Sequence, residues 1–121
     1  MSRDRQILGE IGENLACEEL RRRGYEILAR RYRRRGGEID VIASHGPTIV
    51  FVEVKTRAGD QFGAGVEAVS RVKQRRLTWV ATDFLMRQRL MDRPCRFDVV
   101  SIDLSAQGAA IEVFENAFDG A

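Results

Sequence analysis

A β-hairpin in the middle of the chain is the feature that most constrains the fold. Residues 49–55 read Ile-Val-Phe-Val-Glu-Val-Lys, an alternating run rich in β-branched side chains that predicts a strand. Residues 38–43 predict its antiparallel partner, and the Gly46-Pro47 pair between them is a strong turn signal. The sequence therefore predicts two neighbouring antiparallel strands.

This hairpin brings two carboxylates and one ammonium together. Glu53 and Lys55 are two residues apart on a strand, so they project from one face. Folding the hairpin places Asp40 opposite or diagonal to Glu53. Carboxylate oxygens suit Mg²⁺ or Mn²⁺, which bind few protein ligands where phosphate completes the shell. The alternative is that Glu53 and Lys55 form an ordinary ion pair on a solvated strand face.

The choice of basic residues supports the site. The chain has eighteen arginines and only two lysines, Lys55 and Lys73. Arginine stays charged in proteins, whereas lysine can lose its proton, so a lysine at position 55 fits a chemical role. Lys73 and Gln74, near the start of a predicted helix, could orient a phosphate or the attacking water. Alternatively, Lys73 only extends from the edge of the core.

Glu13 is a further candidate on the first predicted helix. It shares one helical stripe with three apolar residues, Ala16, Cys17 and Leu20, which predicts an inward-facing carboxylate. A buried acid needs a partner or a metal. The alternative is that the helix begins near Gly12, which leaves Glu13 as an exposed acid in the first turn.

Several segments together resemble a known family. They are Gly12-Glu13, residues 37–40, residues 51–57, Lys73 and residues 96–100. The sequence resembles the YraN-like bacterial proteins from about Gly9 to its end, and that family is similar to the PD-(D/E)xK nucleases, most closely to archaeal Holliday-junction resolvases. One departure is Arg31, where the family often has Asn.

The resemblance implies a restriction-endonuclease-like α/β fold with Glu13, Asp40, Glu53 and Lys55 in the site. Our hypothesis is a metal-dependent deoxyribonuclease that acts on branched or distorted DNA. Asp40, Glu53 and the carbonyl of Val54 hold Mg²⁺ or Mn²⁺, and Lys55 orients or deprotonates the attacking water. Glu13 adds a ligand or positions water. The alternatives are a nucleic-acid-binding accessory protein without turnover and a protein-interaction subunit.

A run of basic residues precedes the hairpin. Between Arg21 and Arg35 there are eight arginines and one acid, Glu26, despite a net charge of only +2. We expect a basic patch that binds the phosphate backbone, with Tyr32 available to stack on an unpaired base. The alternative is a solvated loop. The residues predicted to contact nucleic acid are Arg30, Arg31, Tyr32, Arg33, Arg34, Arg35, Arg57, Lys73 and Gln74.

The length of 121 residues suits one domain, and 44% hydrophobic with 31% charged residues is typical of a soluble protein. No apolar run is long enough to span a membrane and the N-terminus lacks a signal-peptide pattern, so we expect a cytoplasmic protein. Cys17 and Cys95 are predicted to be buried thiols, which makes zinc a poor candidate. Symmetric cleavage of a junction would require a homodimer.

The predicted order of elements is helix, three strands, helix, two strands, which indicates a mixed sheet of about five strands between helices. The predicted bounds are a helix over 7–23, strands over 25–31, 38–43 and 49–55, a loop over 56–65 that could close over substrate, a helix over 70–91, and strands over 97–104 and 111–115. We also expect Asp98 to bind an arginine, His45 to be exposed, and Trp79 to serve helix packing.

Overall fold

The structure is a computed structural model that describes residues 3–59 and 69–118. Its elements are helix α1 (Arg3–Arg22), strands β1 (Glu26–Arg34), β2 (Gly37–His45) and β3 (Thr48–Ala58), helix α2 (Arg71–Arg87), and strands β4 (Cys95–Ser105) and β5 (Gly108–Phe118). The strands form a sheet in the order β1-β2-β3-β4-β5. Neighbours are antiparallel except β3 and β4, which are parallel and joined through α2. The predicted α/β fold is confirmed, and it is consistent with a restriction-endonuclease-like arrangement.

The two helices cover opposite faces of the sheet. Alternation along β3 sends Val50 and Val52 into the core beneath α1, and Ile49 and Phe51 into the core beneath α2. The stripe predicted on α1 is confirmed, since its three apolar residues are fully buried. Neither helix in the described parts of the chain is long and apolar enough to cross a membrane.

Several element ends differ from their predicted positions. β1 continues to Arg34 because pairing with β2 extends to Arg34 and Gly37, so the arginine run lies mostly in a strand and not in a loop. α2 ends at Arg87 and not near 91, because Arg89 adopts a left-handed conformation (φ 58°) and the Leu90 amide donates to the Leu85 carbonyl. Of the predicted loop over 56–65, residues 56–58 belong to β3, and residues 60–65 lie outside the described residues.

Three predictions about single side chains are wrong. Cys95 is exposed, although Cys17 is buried as predicted. Trp79 does not serve packing, because 74% of it is exposed. His45 is only partly exposed, since its ring stacks on Tyr25 with centroids 4.2 Å apart.

The prediction for Asp98 is confirmed. This carboxylate is fully buried and accepts a hydrogen bond from Arg96 Nε at 3.1 Å. It also accepts from the backbone amide of Asn116 at 2.9 Å, beside the irregularity where β5 pairs with β4. The surrounding hydrogen bonds satisfy the buried charge, so Asp98 has a structural role.

Close contact between α1 and β3 depends on Gly12. A β-carbon built on Gly12 would lie 1.8 Å from Oγ1 of Thr56, which is far inside any real contact distance. The missing side chain therefore lets the helix approach the strand, and it positions the next residue, Glu13, over the sheet.

We expect Gly12→Ala to lower the free energy of unfolding by about 1–3 kcal/mol, because the new methyl group overlaps Thr56 and the backbone must shift. Urea denaturation followed by far-ultraviolet circular dichroism measures this change.

Gly9→Ala is the matched control on the same helix. Nothing lies within 4 Å of its β-carbon position, so helix propensity alone should raise stability, by about 0.5–1 kcal/mol. Equal stability of the two variants would show that α1 does not need the glycine to approach β3.

Candidate active site

The candidate site lies where β2 separates from β3. Pairing of these strands ends at Val41 and Val52, and the next residues along this register are Asp40 and Glu53. The predicted juxtaposition of these two carboxylates is thus what the observed register produces. β3 meanwhile stays paired with β4 along its whole length. The result is a fork that is open on one side and held rigid on the other.

At the fork, a side chain takes the place of a backbone hydrogen-bond partner between β2 and β3. Asp40 Oδ2 accepts a hydrogen bond of 2.8 Å from the amide of Val54. The amide and the carbonyl of one strand residue point toward the same neighbour, so the Val54 carbonyl also faces β2. The fork therefore brings three oxygen donors together: two carboxylates and one carbonyl.

The two carboxylates influence each other strongly. Burial, followed by the hydrogen bond with Glu53 and the negative charge of Glu53, raises the pKa of Asp40 to about 8. Burial alone would raise the pKa of Glu53 as well, but the hydrogen bond from Asp40 and the positive charge of Lys73 lower it. The pair thus holds one proton, on Asp40, and one negative charge, on Glu53, at neutral pH.

Both lysines of the chain act on Glu53. Lys73 Nζ, from α2, lies 2.5 Å from Glu53 Oε2, and the charge of Lys55 also contributes to the lowered pKa of Glu53. The two residues with this effect are the two lysines among twenty basic residues, and the other eighteen are arginines. Of the two alternatives for Lys73, the observed contact with Glu53 favours a role at the site over simple extension from the core.

The donor set fits Mg²⁺ or Mn²⁺. Glu53 is 8% exposed, and its Oε2 has no well-directed hydrogen bond from the described residues even though the Lys73 ammonium is close. A metal ion at this oxygen would share it with the Lys73 ammonium or take its place. No group of three or more Asp, Glu, His or Cys side chains suited to a metal occurs in residues 3–59 and 69–118. Two carboxylates and a carbonyl match an ion that keeps several waters and takes phosphate as a ligand.

Glu13 is buried, as the helical stripe predicts, but its carboxylate is engaged by arginines. Oε1 accepts from Arg30 Nε at 2.8 Å and Oε2 accepts from Arg31 Nε at 3.1 Å. This arrangement orients two guanidinium groups of β1. Glu13 and Asp40 both line a cleft of about 740 Å³ between α1 and the strands.

Arg31 adopts an unusual backbone conformation to make this contact. Its φ is +51°, in the left-handed region that asparagine tolerates better than most residues. This explains in physical terms why asparagine suits the position. Here the arginine side chain instead bonds to Glu13, and that hydrogen bond raises the pKa of Arg31.

The remaining arginines of the run have different surroundings. Arg33 is 77% exposed and lies 3.5 Å from Glu38, whereas Arg34 Nε donates to Asp83 of α2 at 3.0 Å. Arg35 is exposed in the turn before β2. The run therefore includes both side chains that hold the fold and side chains that are open to a ligand.

Three further residues predicted to contact nucleic acid, Tyr32, Gln74 and Arg57, differ in how accessible their side chains are. Tyr32 is partly buried: its hydroxyl donates to Asp83 at 2.6 Å and the Arg34 guanidinium covers its ring at 4.3 Å, so no free face is offered to a base. Gln74 donates to the backbone carbonyl of Val69 at 2.7 Å. Arg57 is partly exposed near the end of β3, past the fork.

Comparison with known sequences identifies the family. The family described as Uncharacterised protein family UPF0102 matches residues 12–102. The chain belongs to this family. The UPF0102 protein of Geobacter metallireducens is 48% identical over 98% of both chains. That of Symbiobacterium thermophilum is 47% identical over 92% of this chain and 95% of its own. The resemblance to YraN-like proteins is thereby confirmed, and the matched region includes every residue of the fork.

We expect Asp40→Asn to stabilise the protein more at pH 8 than at pH 5. The pKa of Asp40 is raised from 3.8 to about 8, so the folded state binds an extra proton in this window and loses stability as pH rises. The asparagine does not titrate and can still accept from Val54. The stability difference between variant and wild type should grow by about 1–3 kcal/mol from pH 5 to pH 8 in metal-free urea denaturation.

Asp103→Asn, at an exposed position on β4, is the control and should show the same small effect at both pH values. The lowered pKa of Glu53 acts only below about pH 5 and does not disturb this window. A pH-independent difference for Asp40→Asn would mean that Asp40 is ionised in the folded protein.

Proposed function

We propose that this protein is a Mg²⁺- or Mn²⁺-dependent endodeoxyribonuclease that acts on branched or distorted DNA in repair or recombination. The observation that carries the proposal is the fork at which Asp40 and Glu53 meet. Glu53 is buried there with the Lys73 ammonium against its Oε2, and both lysines of the chain lower the pKa of this carboxyl. Stability alone gives no reason to bury such a pair, since two carboxylates together raise the free energy of the folded state.

The residues of the fork divide the work of phosphodiester hydrolysis. Asp40, Glu53 and the Val54 carbonyl would hold the metal, which supplies charge neutralisation at the phosphate and an acidified water. Lys55 orients the attacking water or accepts its proton. Lys73 keeps Glu53 ionised, so the carboxylate is ready to bind a cation.

Arginines next to the fork would bind the DNA backbone. Glu13 binds both Arg30 and Arg31, and Arg31 lines the cleft, where its outer nitrogens can take phosphate oxygens. Arg33 and Arg35 are exposed beyond them. This arrangement gives Glu13 a positioning role for arginines, as an alternative to the predicted metal or water contact. Preference for branched DNA follows from the resemblance to junction resolvases, and symmetric cutting would require a homodimer.

Cleavage of labelled DNA tests the proposal. We expect wild-type protein to cut at least one of four-way junction, flap, single-stranded and duplex DNA with Mg²⁺ or Mn²⁺, and to stop when the metal is chelated. Glu53→Gln and Asp40→Asn should each reduce the rate by at least about 100-fold, because each removes a carboxylate that would bind the metal while keeping the shape of the side chain. Asp40 would release its proton when the metal binds.

Asp103→Asn is the matched control, because it removes one carboxylate charge from an exposed strand position and should leave cleavage unchanged. Retained cleavage in both fork variants would show that a contaminating nuclease or another site is responsible. Purifying all four proteins by the same procedure makes that comparison direct.

The second candidate is a nucleic-acid-binding accessory protein without turnover. The observation in its favour is the Lys73 ammonium, which lies against the oxygen of Glu53 that a metal would use. If the Lys73 ammonium stays at this oxygen, it would keep a metal from binding, and the fork would have only a structural role. Salt-sensitive DNA binding with no cleavage under any metal, in wild type and Glu53→Gln alike, would favour this function.

A further inference from the structure

Trp79 is an exposed aromatic residue on helix α2. It lies on the outer side of α2 and is 74% exposed, although it is the only tryptophan of the chain. Its six-membered ring approaches the turn between β1 and β2, with Cε3 3.9 Å from the position of a Gly36 β-carbon. The ring is therefore supported on one edge and open to solvent elsewhere, in contrast to the covered ring of Tyr32.

The surroundings of Trp79 are strongly basic. Arg75 and Arg76 precede it by four and three residues, which places them one helical turn away, and both are exposed. Arg35 is exposed in the turn that Trp79 approaches. The single acid of α2, Asp83, already binds Arg34 and Arg87. An anionic partner therefore complements this surface better than an apolar one.

The first turn of α2 carries positive charge, which the helix dipole disfavours at this end. Arg71 and Lys73 occupy its first turn, which contains no acid, although the helix dipole favours negative charge there. Lys73 is offset by Glu53, whereas an external anion would offset Arg71. Phosphate groups along this side would satisfy both the dipole and the arginines.

We propose that Trp79 is a stacking platform for an unpaired base of a nucleic-acid strand whose phosphates follow Arg71, Arg75 and Arg76. This surface and the proposed active site share helix α2, because Lys73 of the same helix contacts Glu53. This inference deepens the proposed function and rests on it for the identity of the ligand. It makes a strand with at least one unstacked base, and not a regular duplex, the preferred substrate.

The single tryptophan allows a direct test. We expect a 12-nucleotide single strand to quench the fluorescence of the Glu53→Gln protein, which is used to prevent cleavage, and a blunt 12-base-pair duplex to quench it much less. Trp79→Leu should weaken binding of the single strand by about 10-fold, measured by anisotropy of labelled DNA, because it removes a stacking face. Trp79→Tyr, which keeps an aromatic face, should recover most of the affinity.

Met86→Ala is the matched control, because Met86 is 63% exposed on the same helix and lacks an aromatic ring. It should change affinity by less than about 2-fold. Wild-type affinity in Trp79→Leu, or equal quenching by single strand and duplex, would overturn the inference. Self-association in sedimentation that Trp79→Leu abolishes would also overturn it, in favour of a surface for a second copy.

The same experiments separate this inference from the proposed function. Metal-dependent cleavage by wild type without quenching of Trp79 in the Glu53→Gln protein removes the stacking platform and leaves the nuclease. Quenching and the 10-fold loss in Trp79→Leu without cleavage support the platform on an accessory protein. Absence of both binding and cleavage overturns both.

Discussion

The buried contact between Asp40 and Glu53 is the constraint on which the candidate site depends. It exists because β2 and β3 separate at these residues while β3 stays paired to β4. The hydrogen bond from the Val54 amide to Asp40 takes the place of the missing ladder bond and fixes one carboxylate in the gap. The second carboxylate then has to share a proton with the first, which raises the pKa of Asp40 and costs stability at neutral pH.

The surrounding charges limit that cost without removing it. Lys73 and Lys55 stabilise the negative charge on Glu53, and Glu13 binds Arg30 and Arg31 on the α1 side of the sheet. Glu53 Oε2 lies against the Lys73 ammonium, although it has no well-directed hydrogen bond among the described residues.

Much of the fold followed from local patterns. The alternation of residues 49–55 and the turn at Gly46-Pro47 predicted the hairpin, and an apolar stripe predicted the inner face of α1. Element ends were predicted less well where the deciding interaction was not local. β1 is longer than its apolar pattern because antiparallel pairing with β2 continues through charged residues, and α2 is shorter because Arg89 ends it with a left-handed turn.

The sequence by itself determined that Asp40 lies near Glu53 and Lys55 on adjoining strands, because strand alternation and the turn at Gly46-Pro47 bring them together. It left Asp40 opposite or diagonal to Glu53, and the structure fixed the register. Only the tertiary structure decided which partners the other charged and aromatic side chains take. Lys73 reaches Glu53, Glu13 binds two arginines, and Tyr32 is covered while Trp79 is exposed. These outcomes depend on how helices lie over the sheet, and helix packing follows surface shape over many residues, which no local pattern encodes.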